Sequence, residues 1–392
     1  MKLNAIKSRL ARFSARKLSL NLRAPEVRQN PYPYYQELRR VGPVHFLEKQ
    51  RCWIVLNHAD IATILQEPLL FSSSISAGFD AVLLGAEPEM HKRVRQVIAP
   101  FFSSRGVSIL AQDIVAVTRQ LTADIRAVRN FDFITDFAVP LPLIVMSKWL
   151  GIDSAHTADL RRWGRAVVSP ETAPADLNEC AIFCLELAAD RLRAPGTDLL
   201  SQLLTALNQD MNLKIEEAAS LTKLLLLAGT ETTADLIGNA MLALLRHPEI
   251  MEQVRAQPSL IPFVIEETLR YDSPVQSIDR VTTQDVEISG VRIRKGASLV
   301  LCLGAANRDP ECFPDPDSFV LMRRPRNDLA FGSGPHRCLG ERLARLEAQI
   351  ALETLLTHCP PLNAAQSLAS LQYVSYGSIM IRGLEHLKLT WA

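Results

Sequence analysis

The sequence predicts a mainly α fold: one large helical unit that carries small β-sheets. Three observations predict it. Apolar residues recur at helical spacing along most of the 392-residue chain. Strand-like alternation is confined to "VHFLEKQRCWIVLN" from Val44, "VEISGVRIRKGASLVLCLG" from Val286 and "IMIRGLEHLKLTW" from Ile379. No internal repeat, low-complexity linker or composition break divides the chain. In order, the periodicity and its breakers predict helices over 33–40, 59–66, 91–101, 108–129 and 137–150. Further helices are expected over 177–193, 199–207, 215–246 as one long element, 248–257, 261–271 and 339–357. Between the last two lies "NRDPECFPDPDSFVLMRRPRND" (residues 307–328), an irregular segment of a length uncommon without a function.

Composition narrows the class. Hydrophobic residues make up 48% of the chain and charged residues 22%, enough for a large core. A net charge of +1 gives no field that calls for nucleic acid. Seven cysteines at 52, 180, 184, 302, 312, 338 and 359 show no pairing pattern, which points to a reducing, cytoplasmic compartment. Cys180 and Cys184 sit in "NECAIFCLELAADRL" and are expected to pack there, and without a CxxC a zinc site is not expected. No apolar run approaches the roughly 20 residues of a membrane span. Residues 1–25 carry Lys2, Lys7, Arg9, Arg12, Arg16, Lys17 and Arg23 before the first acid, Glu26. They read as a solvated, frayed basic arm ahead of one domain over 26–392. A membrane-surface arm or a targeting peptide is the alternative.

Three stretches carry chemistry. In "FGSGPHRCLGERLARLE" (Phe331 to Glu347), Gly332 and Gly334 let backbone lie close against a flat ligand, and Pro335 stiffens the loop. Leu339, Leu343, Leu346 and Ile350 then repeat with helical period, which places Cys338 at a helix start, where N–H groups and the dipole favour thiolate. A thiolate in a glycine-lined apolar pocket suits a haem iron that needs an electron-donating ligand. Taken alone, a buried cysteine beside a Gly-Pro turn explains the stretch as well. In "LLLLAGTETTADLIGNAMLALL" (Leu224 to Leu245), Gly229, Thr230, Glu231, Thr232 and Thr233 interrupt an otherwise apolar helix. A carboxylate and three hydroxyls at a buried helix centre point either to a satisfied kink or to an opened turn that passes protons. In "FVIEETLRY", Glu267 and Arg270 stand at i, i+3, either as a surface pair or as a buried pair completed by Arg323.

Together these stretches resemble the cytochrome P-450 family of haem-thiolate monooxygenases, in its soluble bacterial form, over nearly the whole chain. "FGSGPHRCLG" is similar to the family's cysteine signature at Phe331, Gly332, Gly334, His336, Cys338 and Gly340; "AGTETT" (Ala228 to Thr233) is similar to its oxygen-activating motif. "EETLR" supplies the Glu-x-x-Arg, and "ANRDPECFPDPDSF" followed by Arg323 the segment that completes its charge triad. Met90 before His91, Asp328 before "LAFG", and the missing Asp-Pro in "FVLMR" depart from the pattern; the last weakens the placing of Arg323.

The resemblance implies a P-450-type helical fold with haem b (iron protoporphyrin IX) between the oxygen-activating helix and the cysteine-loop helix. Cys338 would be the metal ligand. His91, Arg95, Arg280 and His336 would meet the propionates, and Ala228, Gly229, Phe331, Gly332 and Gly340 would line the cofactor. Glu231 and Thr232 would be the catalytic acid–alcohol pair. Glu267, Arg270 and Arg323 would be structural. Electrons would come from NAD(P)H through a ferredoxin or flavodoxin with its reductase, since no flavin motif or iron–sulfur cysteine set is visible. Lys92, Arg93, Arg342 and Arg345 are the basic residues expected on the docking face. The substrate pocket would draw on residues 72–85, 225–228, 273–278 and 375–380, small and apolar, for a mid-sized lipophilic molecule, free or tethered to a carrier protein. The reading from another class is a silent haem-binding protein that modulates a partner enzyme. Its mark would be a lost cysteine, acid or threonine, and none is lost.

Overall fold

The computed structural model describes residues 17–18, 24–74, 82–168, 174–323, 327–374 and 380–392. Most of the basic arm lies outside the described residues, as do 75–81 and 375–379 of the expected substrate-pocket segments. The fold is helical around one element that hides almost all of itself. The helices that position the site are α1 (Pro88–Ile98), α2 (Ala111–Arg126), α3 (Pro140–Trp149), α4 (Thr157–Val168) and α5 (Pro174–Arg193). They continue with α6 (Ile215–Ala228), α7 (Glu231–Arg246), α8 (Ile261–Tyr271) and α9 (Glu341–His358).

Every residue of α7 is buried except Thr232, Leu245 and Arg246, as expected of a helix apolar on all sides. It packs on α3, α8 and α9. The outer helices are one-sided: α2 buries Ile114, Val117, Thr118, Leu121, Thr122 and Ile125, a stripe at i, i+3, i+4, i+7, i+8 and i+11, against α9. Cys180 and Cys184 are buried one turn apart on α5, their sulfurs 4.0 Å from each other. Among the described residues no helix is long and apolar enough to cross a membrane, and no His/Cys/Asp/Glu group is placed to hold a metal on its own.

A mixed six-stranded sheet runs in the order Lys17–Leu18, Val44–Leu47, Cys52–Val55, Ser298–Leu301, Ile278–Thr282, Phe71–Ser72. Its register sets Arg280 opposite Leu299. A three-stranded sheet joins Leu362–Ala364, Lys388–Trp391 and Asn130–Asp132, and Val286–Ile288 pairs with Val291–Ile293 across a tight turn.

The structure corrects the sequence reading in three places. The expected helix 215–246 is two helices, parted at Gly229 and Thr230. Helix α4 went unforeseen because its charges and the interior Gly164 depress the signal, although Leu160, Trp163 and Ala166 form a buried stripe. The alternation from Ile379 yields a strand only at Lys388–Trp391, with single bridges at Ile381 and Leu384, while the central strand Ile278–Thr282 was missed.

Candidate active site

The loop before α9 is shaped by two left-handed glycines. Gly332 has φ +70° and Gly334 φ +69°, a region that glycine enters at no steric cost. They serve different ends. A Cβ on Gly334 would collide with the carbonyl of Leu65, so this glycine seats the loop on its neighbour; beside Gly332 and Gly340 there is open space. Cys338 donates its backbone N–H to the Phe331 carbonyl at 2.9 Å, closing the loop, and Gly340 caps α9. The Cys338 side chain is accessible, yet protein crowds it closely enough that burial pushes its thiol above the ordinary value. The Gly340 N–H aimed at the sulfur, then Arg95 and Arg345, pull the other way and lose. This corrects the expectation that the helix start alone makes a thiolate: a metal cation at the sulfur would be what removes the proton.

Across from this loop, α6 ends at Ala228. Gly229 (φ −91°, ψ −11°) and Thr230 (φ −91°, ψ −66°) break the ladder before α7 begins. The break leaves carbonyls open, and two hydroxyls fill them: Thr230 Oγ1 donates to Leu227 at 3.2 Å, and Thr232 Oγ1 to Ala228 at 3.0 Å. Ala228 is exposed although Leu224 to Leu227 before it and Thr230 after it are buried. An exposed alanine at the join of two largely buried helices marks an opening there, and Thr232 is half-buried at the same notch. Glu231 is buried under α4, where a Cβ on Gly164 would stand 3.0 Å from its Oε1. The missing side chain of Gly164 makes room for the carboxylate.

A flat cofactor with two carboxylates fits what surrounds the cleft. His91 and His336 stack at 3.9 Å between ring centroids, and His336 Nε2 lies 3.4 Å from Ser73 Oγ. Burial, then Arg95 and Arg280, lowers His91 to about 4; burial, then His91, Arg280 and Arg95, lowers His336 to about 3. Arg280 is 7% exposed and lowered to about 10 by burial, offset only by its neighbour Asp279, and burial also lowers Arg95. The two arginines depress both imidazoles and His91 depresses His336, while burial lowers the arginines themselves; with no acid among the described residues facing all four, they suit an anion. The propionates of a haem would supply that charge. The open space beside Gly332 and Gly340 and the accessible sulfur of Cys338 accommodate its plane and its iron.

Behind the loop, Glu267 and Arg270 are fully buried and joined at 2.7 and 2.9 Å. Arg323 Nε reaches Glu267 Oε1 at 3.1 Å, and the Val320 N–H donates to the same oxygen at 2.9 Å. Arg270 donates to the carbonyls of Asn307, Pro316 and Ser318, pinning the irregular segment to α8. Of the four basic residues expected on a docking face, Arg93 is paired with Asp210 at 2.8 Å and Arg345 with Glu266 at 2.6 Å. Lys92 and Arg342 are exposed, with no ion pair among the described residues. The sequence reading passed over Asp235, Asn239 and Glu347, three buried polar residues. The first two stand as polar intrusions in "TTADLIGNAMLALL" and could have been noticed there; nothing in a periodic amphipathic helix marks Glu347.

The cytochrome P450 family model matches residues 175–362. The biotin biosynthesis cytochrome P450 of Bacillus subtilis (strain 168) is 36% identical over 390 residues, covering 93% of this chain and 97% of that protein. The 6-deoxyerythronolide B hydroxylase of Saccharopolyspora erythraea is 33% identical over 385 residues, 91% and 95% of the two chains. Among solved structures, P450BioI in complex with acyl carrier protein ligated to hexadec-9Z-enoic acid superposes with a TM-score of 0.84 at 33% identity, covering 94% of this chain and 99% of that one. With near-complete coverage by relatives of this kind, the chain belongs to the cytochrome P450 family and is a monooxygenase.

Proposed function

We propose that this protein inserts one oxygen atom of O2 into a mid-sized lipophilic small molecule of bacterial secondary metabolism, with electrons from a separate ferredoxin or flavodoxin. The observation that carries the reading is the conjunction of an accessible Cys338, in the loop that leads into α9, with the notch at Ala228 and Thr232, where α7 begins and packs on α9. Haem bound there through Cys338 supplies the oxygen-activating redox chemistry. The protein's own part is positional. Ala228 and Gly229 leave room at the helix break, Thr232 holds its hydroxyl at the notch, and Glu231 supplies an exchangeable proton behind it. His91, Arg95, Arg280 and His336 hold the carboxylates, and Glu267, Arg270 and Arg323 hold the cysteine loop's support. Leu224, Leu225 and Val82 offer apolar wall and no charge, which favours a lipophilic substrate.

Lys92 and Arg342 supply exposed positive charge for an acidic redox partner. A carrier-tethered acyl chain is the second substrate form, supported by the carrier-protein complex of the P450BioI neighbour. The test is spectroscopic and isotopic. The reduced carbon monoxide complex should show thiolate-type absorption that Cys338→Ser abolishes while the protein stays folded. With 18O2, a redox partner and an accepted lipophilic substrate, one labelled atom should enter the product. Absorption unchanged in Cys338→Ser would assign the ligand elsewhere.

A further inference from the structure

Asp235 lies one helical turn beyond Glu231 on α7, on the same side of the helix. It is 6% exposed, and its Oδ2 is buried with no hydrogen-bond partner. The carboxyl fits directly against Gly383, where any side chain would collide with it. One turn further, Asn239 donates to the carbonyls of Asp272 and Arg382, both at 3.0 Å, while its own Oδ1 is also buried and unpartnered. Arg382 in turn lines a small cavity with Gln276, Tyr373 and Arg28, so polar groups continue from Asp235 toward the protein's edge.

A lone carboxylate here would be costly. Neutralising charge is not on hand. Arg382 is tied to Asp272 at 2.6 Å, and Arg270 of α8 is tied to Glu267 at 2.7 Å. Lys148 of α3 and Asp136 before it are exposed, as are Glu249 and Glu252 on the helix Pro248–Ala256. Glu347 of α9 is buried without a partner of its own. The charged group that acts on Asp235 is Glu231, and it is of like sign. Burial first, and Glu231 second, push the Asp235 carboxyl well above the carboxylate range. Asp235 therefore carries a proton at neutral pH and loses it to bulk solvent only as the pH rises.

We propose that Asp235 is a proton-storing positioning residue, whose buried carboxyl recharges Glu231 between the two proton deliveries of a turnover. The inference rests on the monooxygenase reading. Placing one atom of O2 in product and the other in water consumes two electrons, from the redox partner, and two protons. Glu231 gives one proton and becomes a carboxylate. The O–H bond of Asp235 then breaks as that of Glu231 re-forms, and Asp235 regains its proton from solvent water. No electrons move in this relay.

The haem-loaded Asp235→Asn variant keeps shape and amide donors but stores no proton. Product formed per NAD(P)H should fall by about an order of magnitude, less than the 10²–10⁴ of a direct acid because Glu231 remains. The balance should appear as peroxide. Wild type should lose coupling as the pH rises through alkaline values, and the variant should be low and flat. A merely structural Asp235 would lower haem content or melting temperature equally at every pH and leave the peroxide share unchanged, and that outcome overturns the proposal. A second readout needs no turnover. In protein labelled with 13C-aspartate, pH-difference infrared spectra should show a labelled protonated carboxyl that persists above neutrality and disappears in Asp235→Asn, since burial raises Asp279 and Asp328 as well. Its absence overturns the proton store even in an enzyme that hydroxylates. Its presence stands even if the reaction proves to be another.

Discussion

Thr232 does two jobs with one hydroxyl: it closes the open carbonyl of Ala228 and faces the cleft. Thr232→Ala should cost about 1 kcal/mol of stability, the net worth of one hydrogen bond, and divert NAD(P)H into peroxide. Thr232→Ser should restore coupling, and its failure to do so would separate the hydroxyl from proton delivery. This residue was legible because a hydroxyl beside an acid interrupts an apolar run. Glu347 was not, and its chemistry differs. It is 1% exposed with both oxygens unpartnered, and burial alone pushes its carboxyl well above the usual range. The folded protein thus keeps a proton that the unfolded chain gives up above about pH 4.3. Stability from this group is complete below that value and falls as the pH rises, by about 1.4 kcal/mol per pH unit until the folded carboxyl itself ionises. Chemical denaturation of wild type and Glu347→Gln across that window should give a slope difference of this size. Parallel curves would mean that an unseen partner ionises Glu347.

The cysteine loop separates glycines that look alike in sequence. Gly332 and Gly334 share a left-handed φ, but only Gly334 abuts backbone, at the Leu65 carbonyl. In the haem-free protein Gly332→Ala should cost about 1–2 kcal/mol for the conformation alone, its methyl group meeting no protein atom. Gly334→Ala must also move Leu65 or the loop, so without haem it should melt well below Gly332→Ala. Equal melting temperatures would deny that the loop is seated on Leu65. The same contrast shows how far elements could be read in advance. Amphipathic helices such as α2 announce themselves because their packing repeats locally. The break at Gly229 and Thr230 was foreseen as a polar interruption but not as two helices, since it depends on Thr232 and Thr230 reaching back to carbonyls. Helix α4 stayed hidden because Gly164, which weakens a helix considered alone, is what lets it lie over Glu231. Ile278–Thr282 has no alternation of its own and becomes a strand by pairing with Ser298–Leu301 and Phe71–Ser72.

At the scale of the whole molecule, residues from three elements converge on one basic cluster, which the proposed function assigns to the haem carboxylates. Arg280 comes from a strand, His91 and Arg95 from α1, and His336 from the cysteine loop, so folding itself brings two arginines together with two imidazoles that stay neutral beside them. Each is held in its less-charged direction by burial, and the two imidazoles also by Arg95 and Arg280. The fold therefore stores repulsion that haem carboxylates would relieve, and one substitution should change sign with loading. Holding a charge out of water without a full partner costs the folded protein free energy that an apolar side chain of similar size does not incur. Without haem, Arg280→Leu should accordingly melt at or above wild type. With haem bound, the variant should melt below wild type, because the cation that meets a propionate is gone and binding to the folded state contributes less. Added salt should raise the melting temperature of the haem-free wild type more than that of the variant, by screening the remaining repulsion. Thermal unfolding of both proteins, each with and without haem and at low and high salt, reads all of this. If Arg280→Leu is less stable in both forms, Arg280 is held by protein partners and the cluster is not a cradle for anions.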